Sequence, residues 1–390
     1  MSKPIHTPGP VNAIAERSDI VRAFKCRLLP TRKQHRALAD ILESQRLLYN
    51  GALEHRISAY RKARKNITLS IQEKELTELR REEAFSSVPV ALQRWTLRRI
   101  DAAFLDFFRR VKAKDRAAGF PRFRGKGRWQ TFGLAEWCGI HITDNRLRIK
   151  GISGTIRVHL HRSLPPQKPI GCTFHHDDRG WHVSLQYRLR PVPLPSTGRE
   201  VGIDMGLNSL CVLSTGESIP NLRVARRAGP ELRRKQRALS RCKRASNRRE
   251  KIKRAVTRCH SRMKSARRTY LHQVSARLIR QNDRIFVEDL KVKRLAASRA
   301  AKPVHDAGWG LLRQFLTYKA ESAGRELIAV DPNYTSQTCP DCGQVAKKTL
   351  KRRTHMCDCG CVLDRDHAAA KVILARGRSG SLATQRKAVA

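Results

Sequence analysis

Five cysteines crowd into "CPDCG" (339–343) and "CDCGC" (357–361), and three acids, Asp204, Glu288 and Asp366, stand beside apolar segments in a chain dominated by cations. A C-x-x-C-G turn points two thiolates at one ion while backbone N–H groups offset their charge, so Cys339 and Cys342 form half of a tetrahedral zinc site. For the other half three cysteines compete. Cys359 has the expected following glycine, Gly360, but Met356 occupies the position three residues earlier. The spacing contracts to Cys357-x-Cys359, and this pair is the expected second knuckle. Cys361 is a near neighbour able to substitute, and His355 could replace one thiolate. An iron–sulfur cluster is the chemical alternative to one structural Zn²⁺. Among the acids, Asp204 follows a strand start and lies between Gly202 and Gly206, which would allow close backbone approach by a ligand. Glu288 ends the run "RIFVE", and Asp366 opens an alanine-rich helix. Carboxylates at such ends suit Mg²⁺ bound between protein and phosphate oxygens. Two plainer roles stay open on the residues alone: Asp366 as a helix N-cap, and Glu288 as the ion-pair partner of Arg284.

The surroundings of these residues point to a polyanion. The 390 residues hold 81 Lys and Arg against 33 acids, a formal net charge of +48. A compact chain with that charge repels itself unless a polyanion neutralises it, which makes nucleic acid the expected partner. No apolar run approaches a membrane-spanning length, so no membrane partner is expected. The N-terminus lacks a signal-peptide core, which predicts a reducing cytoplasm and no disulfide framework for the 11 cysteines. The six scattered ones, Cys26, Cys138, Cys172, Cys211, Cys242 and Cys259, read as small packing residues.

Residues 1–20 read as a loose leader. "VRAFKCRLLP" (21–30) alternates like a strand. Leu38, Ile41, Leu42, Leu48 and Leu53 recur at helical spacing from Thr31, a plausible N-cap, to about Ala63. Helical signal returns over 70–84 and 90–118, where Trp95, Phe104, Leu105 and Phe108 mark a buried stripe. The Gly-rich "GFPRFRGKGRWQTF" (119–132) mixes cations with aromatics, suiting phosphate contact plus base stacking. Alternating runs over 129–190 predict four or five antiparallel strands in a small barrel or sandwich, which strand 21–30 could join. "PVPLPSTG" (191–198) is a linker. Residues 222–268 hold twenty Lys/Arg against Glu231 and Glu250, with apolar positions at Ile252, Val256, Cys259, Met263, Tyr270, Val274 and Leu278. This predicts a helical pair with a narrow apolar seam and cationic faces. "DRIFVEDL" and "ELIAVDP" read as buried strands flanking a helix near 308–323, and the tail after Leu374 as disordered.

Four motifs, in this order, resemble those of the TnpB (OrfB) family of transposon-encoded proteins: "VGIDMGLNSL", "IFVEDLKVK", "YTSQTCPDCG" and "CDCGCVLDRDHAAA". "GWGLLRQFLTYKAESAG", "FKCRLLPTRKQ" and "LLYNGAL" are similar to further family segments, extending the resemblance over most of 21–374. It implies an α/β multi-domain protein. A β-barrel wedge domain (21–30 plus 119–190) would carry a helical recognition insertion (31–118). After the linker, a RuvC nuclease domain of RNase H-like fold (199–335 plus 363–375) would hold an inserted zinc ribbon (336–362). A disordered tail (376–390) would end the chain. By motif position Asp204, Glu288 and Asp366 fall on the catalytic triad, and Cys339 and Cys342 on the first zinc knuckle. Ala368 stands where the family commonly has Asn, a change expected to tune activity.

The resulting expectation is an RNA-guided endonuclease that cuts double-stranded DNA beside a short flanking motif. Two Mg²⁺ ions ~4 Å apart would be held by the triad. The partners would be a guide RNA from the transposon end and target duplex, with one chain per RNA, in the prokaryotic cytoplasm at the nucleoid. Arg122, Arg124, Lys126 and Arg128 would contact nucleic acid. So would Arg233, Arg234, Lys235, Arg241, Lys243, Arg244, Arg248, Arg249, Lys253 and Arg254. The alternatives are a nuclease-inactive RNA-guided regulator, a miniature type V CRISPR effector, and a basic RNA chaperone, which would need neither the acids nor the ribbon.

Overall fold

The computed structural model describes residues 19–82, 86–115, 117–134, 137–290, 295, 301–347, 349 and 353–389. The expected leader, up to Ser18, and the "KVK" that ends the second motif lie outside the described residues. The chain divides into two compact units, Asp19–Leu189 and one built on Arg190–Ala390, with the break at the start of the proline-rich segment.

In the first unit, β1 (Ile20–Leu29) leads into α1 (Arg32–Ala63), α2 (Leu69–Arg81) and α3 (Val90–Lys112). Six strands follow: β2 (Thr131–Leu134), β3 (Ile140–Thr143), β4 (Arg146–Ile149), β5 (Ile156–His159), β6 (Gly171–Asp177) and β7 (Gly180–Leu189). They make one seven-stranded sheet in the order β2-β6-β7-β1-β5-β4-β3. The first strand thus pairs antiparallel with β7 and β5 although three helices separate it from them. Among the described residues the ladder has β2 and β3 at its two ends, so the expected barrel is an open sheet by its hydrogen bonds. Its period-2 apolar face joins Phe24, Cys26 and Leu28 to Phe132, Phe174, Trp181 and Leu185. Thr31 and Gln34 form a reciprocal capping box that starts α1. Leu48, Leu53, Leu76, Leu97 and Phe104 make the helical core. Leu105 and Phe108, expected in that core, are instead 64% and 58% exposed; at the end of α3 it is Phe104 and Phe107 that meet Phe120, while Phe108 lies against those two rings of its own helix.

The second unit opens with β8 (Glu200–Asp204), β9 (Ser209–Leu213) and β10 (Ser218–Pro220), then α4 (Val224–Ser240) and α5 (Asn247–Gln281). Next come β11 (Arg284–Glu288), α6 (Ala301–Ala307), α7 (Trp309–Ala323) and β12 (Glu326–Val330). The chain ends in β13 (Thr354–Met356), β14 (Val362–Asp364) and α8 (Arg365–Val389). The main sheet runs β10-β9-β8-β11-β12, antiparallel through β8 and parallel from β8 to β12. Alternation assigns its two faces. Val201, Ile203, Ile285 and Val287 pack with Leu271, Leu278, Leu312 and Phe315 of α5 and α7. Gly202 and Phe286 point the other way, towards α8. That helix continues through the tail expected to be disordered. Arg376 donates to the Asn333 carbonyl, Gly377 lies on the Phe286 ring, and Arg378 pairs with Glu200.

Candidate active site and metal centre

Asp204 and Glu288 are the last residues of neighbouring parallel strands, one step beyond the Ile203–Val287 pair. Their parity is that of Gly202 and Phe286, so both carboxylates leave the sheet on the face that α8 covers. Asp366 sits in the first turn of that helix. The carboxyl ends of parallel strands are where open α/β sheets bind ligands. An alanine side chain at Gly206 would place its Cβ 3.9 Å from Asp366 Oδ2, which puts the loop after β8 beside the third acid.

The electrostatics show how closely these acids interact. Burial, then the charges of Glu288 and Asp366, push the Asp204 carboxyl up to about 8. Burial also raises Glu288, opposed by a hydrogen bond from the Thr335 hydroxyl and by the Arg376 charge. Burial and the neighbouring Asp364 raise Asp366. Its nearest ion pair is a distant one, Arg353 Nη1 at 3.9 Å from Oδ1. Three carboxylates that resist ionisation together are a donor set suited to a hard divalent cation, whose charge removes the repulsion. Their oxygens are not drawn into one tight cluster: among the described residues, sets of three or more candidate ligands within 4.8 Å of each other occur only at the cysteines.

Both plainer roles for the acids fail on geometry. Arg284 pairs with Glu200 at 2.6 Å and Glu326 at 3.3 Å, leaving Glu288 to Thr335. The cap of α8 is Asp364, whose Oδ1 accepts from the backbone N–H of Asp366 at 2.9 Å and of His367 at 3.2 Å. Asp364→Ala should therefore lower stability by about 1 kcal/mol, the usual value of a cap, and leave most cleavage intact. Thermal melting beside a cleavage assay checks this, and a complete loss of cleavage would mean that Asp364 itself serves the site.

Gly202 has a different role from the one its sequence context suggested. A Cβ there would meet the Ala370 carbonyl oxygen at 2.2 Å and the Leu374 amide nitrogen at 2.7 Å. The glycine admits the backbone of α8, which in turn brings Asp366 to the strand ends. Ala368 is buried with Ala369 and Ala370. Thr335, Arg376 and the Asp364 cap were missed by sequence reasoning. Only the cap had a signal, an Asp directly before a helical run.

The ribbon brings Cys339, Cys342, Cys357 and Cys359 together. The sulfurs of Cys339 and Cys359 are 3.6 Å apart and those of Cys342 and Cys357 3.5 Å. Tetrahedral zinc with ~2.3 Å bonds needs sulfurs roughly 3.8 Å apart, so the contracted second knuckle fits the ion. Burial works against the Cys339 thiolate, but the amides of Cys342 and Asp341 hold it down to about 5.

The candidate nucleic-acid contacts divide between the two units. In the first, Arg122, Arg124, Lys126 and Arg128 are all exposed on a loop tied to α1, where Asn50 hydrogen-bonds both the N–H and the carbonyl of Arg124. Trp129 is not available for stacking: it is buried against Tyr49. In the second unit α4 buries no residue and packs against α5, whose seam is buried at Cys259, Leu271, Val274 and Leu278. Arg233, Arg234, Arg241, Lys243, Arg244, Arg248, Lys253 and Arg254 are exposed. Two others serve the hairpin itself. Arg249 donates to the Leu239 and Cys242 carbonyls at the end of α4, and Lys235 pairs with Glu231.

Three family profiles match parts of this chain: an OrfB_IS605 profile described as "Probable transposase" over 183–299, a "Cas12f1-like, TNB domain" over 309–373, and a "Helix-turn-helix domain" of OrfB_IS605 over 20–65. The last stretch folds here as β1 and the single long α1. A Streptomyces pristinaespiralis protein named "Putative RNA-guided DNA endonuclease" is 36% identical over 93% of this chain and 90% of its own length. The Escherichia coli K12 protein "Putative RNA-guided DNA endonuclease InsQ" is 27% identical over 84% and 85%. A chain from a solved Cas12f1–sgRNA–target DNA complex shares the fold, with a TM-score of 0.57 at 10% identity over 91% of this chain and 98% of that one.

Proposed function

Because this chain belongs to the TnpB (OrfB/IS605) family, we propose that it is a transposon-encoded RNA-guided endonuclease that cuts double-stranded DNA beside a short flanking motif. The observation that carries this reading is the convergence of Asp204, Glu288 and Asp366 at the strand ends under α8, in a chain of net charge +48. The 10-9-8-11-12 sheet covered by α8 on one face and α5 and α7 on the other supports the RNase H-like RuvC assignment. The seven-stranded sheet of the first unit, with α1 to α3, supports the wedge and recognition assignments.

When bound, two Mg²⁺ ions supply an activated water and stabilise the leaving oxygen of the scissile phosphate. The three acids would hold that charge at the ends of β8 and β11, and Asp364 caps the first turn of α8, in which Asp366 sits. Thr335 orients Glu288 by donating to one of its oxygens, which leaves the second oxygen for the site. The exposed cations of α4, α5 and the 119–130 loop hold phosphate backbones, while base pairing reads sequence. One structural Zn²⁺ in the ribbon, one chain per guide RNA and action at the prokaryotic nucleoid complete the reading. No helix among the described residues is long and apolar enough to cross a membrane.

The test is programmed cleavage. Protein purified with its locus RNA should cut a plasmid carrying the matched target and flanking motif, and spare it in EDTA or with a mismatched guide. RNA affinity should fall with salt at a log–log slope of roughly 0.7 per phosphate neutralised. Guide-independent cutting would overturn the reading, and affinity unchanged by salt would remove its electrostatic basis.

A further inference from the structure

The ribbon contains more ligands than one zinc ion needs, and they form two sets that share a residue. The outer set is Cys339, Cys342, Cys357 and Cys359. An inner set, Cys339, His355 and Cys361, also has its ligand atoms within 4.8 Å of one another, and all three residues are buried. The β13–β14 hairpin builds the inner set. His355 pairs with Leu363 in its ladder, and Cys361, just before β14, accepts a hydrogen bond through its carbonyl from the Cys357 N–H at 3.1 Å. His355 is only 1% exposed and Cys361 6%, whereas Cys342 and Cys359 face solvent. Imidazole and thiolate together are an ordinary zinc donor set.

From this overlap we infer that the ribbon is a single-ion site with two alternative ligand sets hinged on Cys339. The outer thiolates hold zinc in the intact chain, and His355 with Cys361 take the ion inward when the second knuckle is lost. The inner set has only three protein ligands, so it binds more weakly than the closed outer set of four thiolates. The inference rests on reading the ribbon as a zinc site, which the contracted Cys357-x-Cys359 turn makes informative.

Cobalt(II) reports the ligands directly, because its visible bands move to shorter wavelength and lose intensity as thiolates are replaced by imidazole or water. The full-length chain, purified with its RNA, would be stripped of metal and titrated with Co²⁺. The intact chain should show a four-thiolate spectrum at one ion per chain. A Cys357→Ala/Cys359→Ala chain should still bind one ion, at least about tenfold more weakly, with a shifted spectrum. Adding His355→Ala to it should abolish binding. The single variant Cys357→Ala, which keeps three outer thiolates, covers the case in which the double variant does not fold: its spectrum should change when His355→Ala is added. A metal-free double variant that folds, or a spectrum of Cys357→Ala indifferent to His355, overturns the inference while leaving the zinc ribbon standing. An intact chain that binds no metal overturns both.

Discussion

Asp366→Ala should abolish Mg²⁺-dependent cleavage while guide RNA and target DNA remain bound, and Asp204→Ala and Glu288→Ala should behave alike. The expectation follows from where the three carboxylates stand. Each ends an inner strand or begins a helix at the same end of the sheet, where Glu288 accepts from the Thr335 hydroxyl and Asp366 has a long ion pair with Arg353. Glu288 is not the partner of Arg284, and Asp366 is not the cap of its helix. Removing one therefore costs little folding energy but takes away a carboxylate that the other two cannot replace. Plasmid cleavage beside a gel-shift with a matched guide separates the two effects. Near wild-type cutting by Asp366→Ala would show that the acid at this helix start is not part of the site.

The burial of Asp204, with the charges of the other two acids, has a consequence for pH. In the folded chain the Asp204 carboxyl titrates at about 8 against 3.8 in the unfolded chain. The native state thus keeps a proton that the unfolded state has already released. The stability this group contributes is fully present below 3.8 and is lost as pH rises through about 8. Asp204→Asn cannot ionise and escapes that loss. With a chelator present, its melting temperature should exceed that of the wild type increasingly as pH climbs from about 5 to about 8, although the variant cuts no DNA. Parallel melting curves across that range would show that the Asp204 carboxyl is not held protonated by its burial and its acidic neighbours.

Much of this was legible because it is local. The runs ending at Asp204 and Glu288, the Cys339/Cys342 knuckle and the cationic helical pair each follow from a short period or spacing. What escaped depends on contacts between distant segments. Gly202 sits beside an acid, and proximity in sequence suggested a ligand; its neighbour is α8, far along the chain. The tail beyond Leu374 is poor in apolar residues, yet Arg376, Gly377 and Arg378 find a carbonyl, a ring and a carboxylate on three separate elements. Leu105 and Phe108 continue a helical stripe, but the partner at this end of α3, Phe120, meets Phe104 and Phe107, and periodicity alone has no record of which side a neighbour covers. At the ribbon, the contracted spacing and Gly360 pointed to Cys357 and Cys359, which the structure brings beside Cys339 and Cys342, whereas the buried grouping of His355 and Cys361 with Cys339 depends on the hairpin.

Gly202→Ala should damage both stability and cleavage, in contrast to the acid variants. The methyl would lie 2.2 Å from the Ala370 carbonyl oxygen, and backbone atoms cannot rotate aside as a side chain can. The strand has little freedom to yield, since Gly202 is paired with Phe286 across β11 and exchanges hydrogen bonds with Ser214. The helix must move instead. Overpacking of this kind costs about 1–3 kcal/mol. Asp366 lies one turn before Ala370, so a lifted helix carries its carboxylate away from Asp204, and a misplacement near 1 Å can lower turnover on the order of a hundredfold. Gly206→Ala is the comparison: its Cβ would meet only the Ser209 carbonyl at 3.2 Å and Asp366 Oδ2 at 3.9 Å, and its effect should be smaller on both counts. The measurement is thermal melting and cleavage rate for the two variants, with RNA binding as a check that the cationic surfaces are intact. If Gly202→Ala melts and cuts as the wild type does, the contact between this strand and α8 is not what places Asp366 at the strand ends.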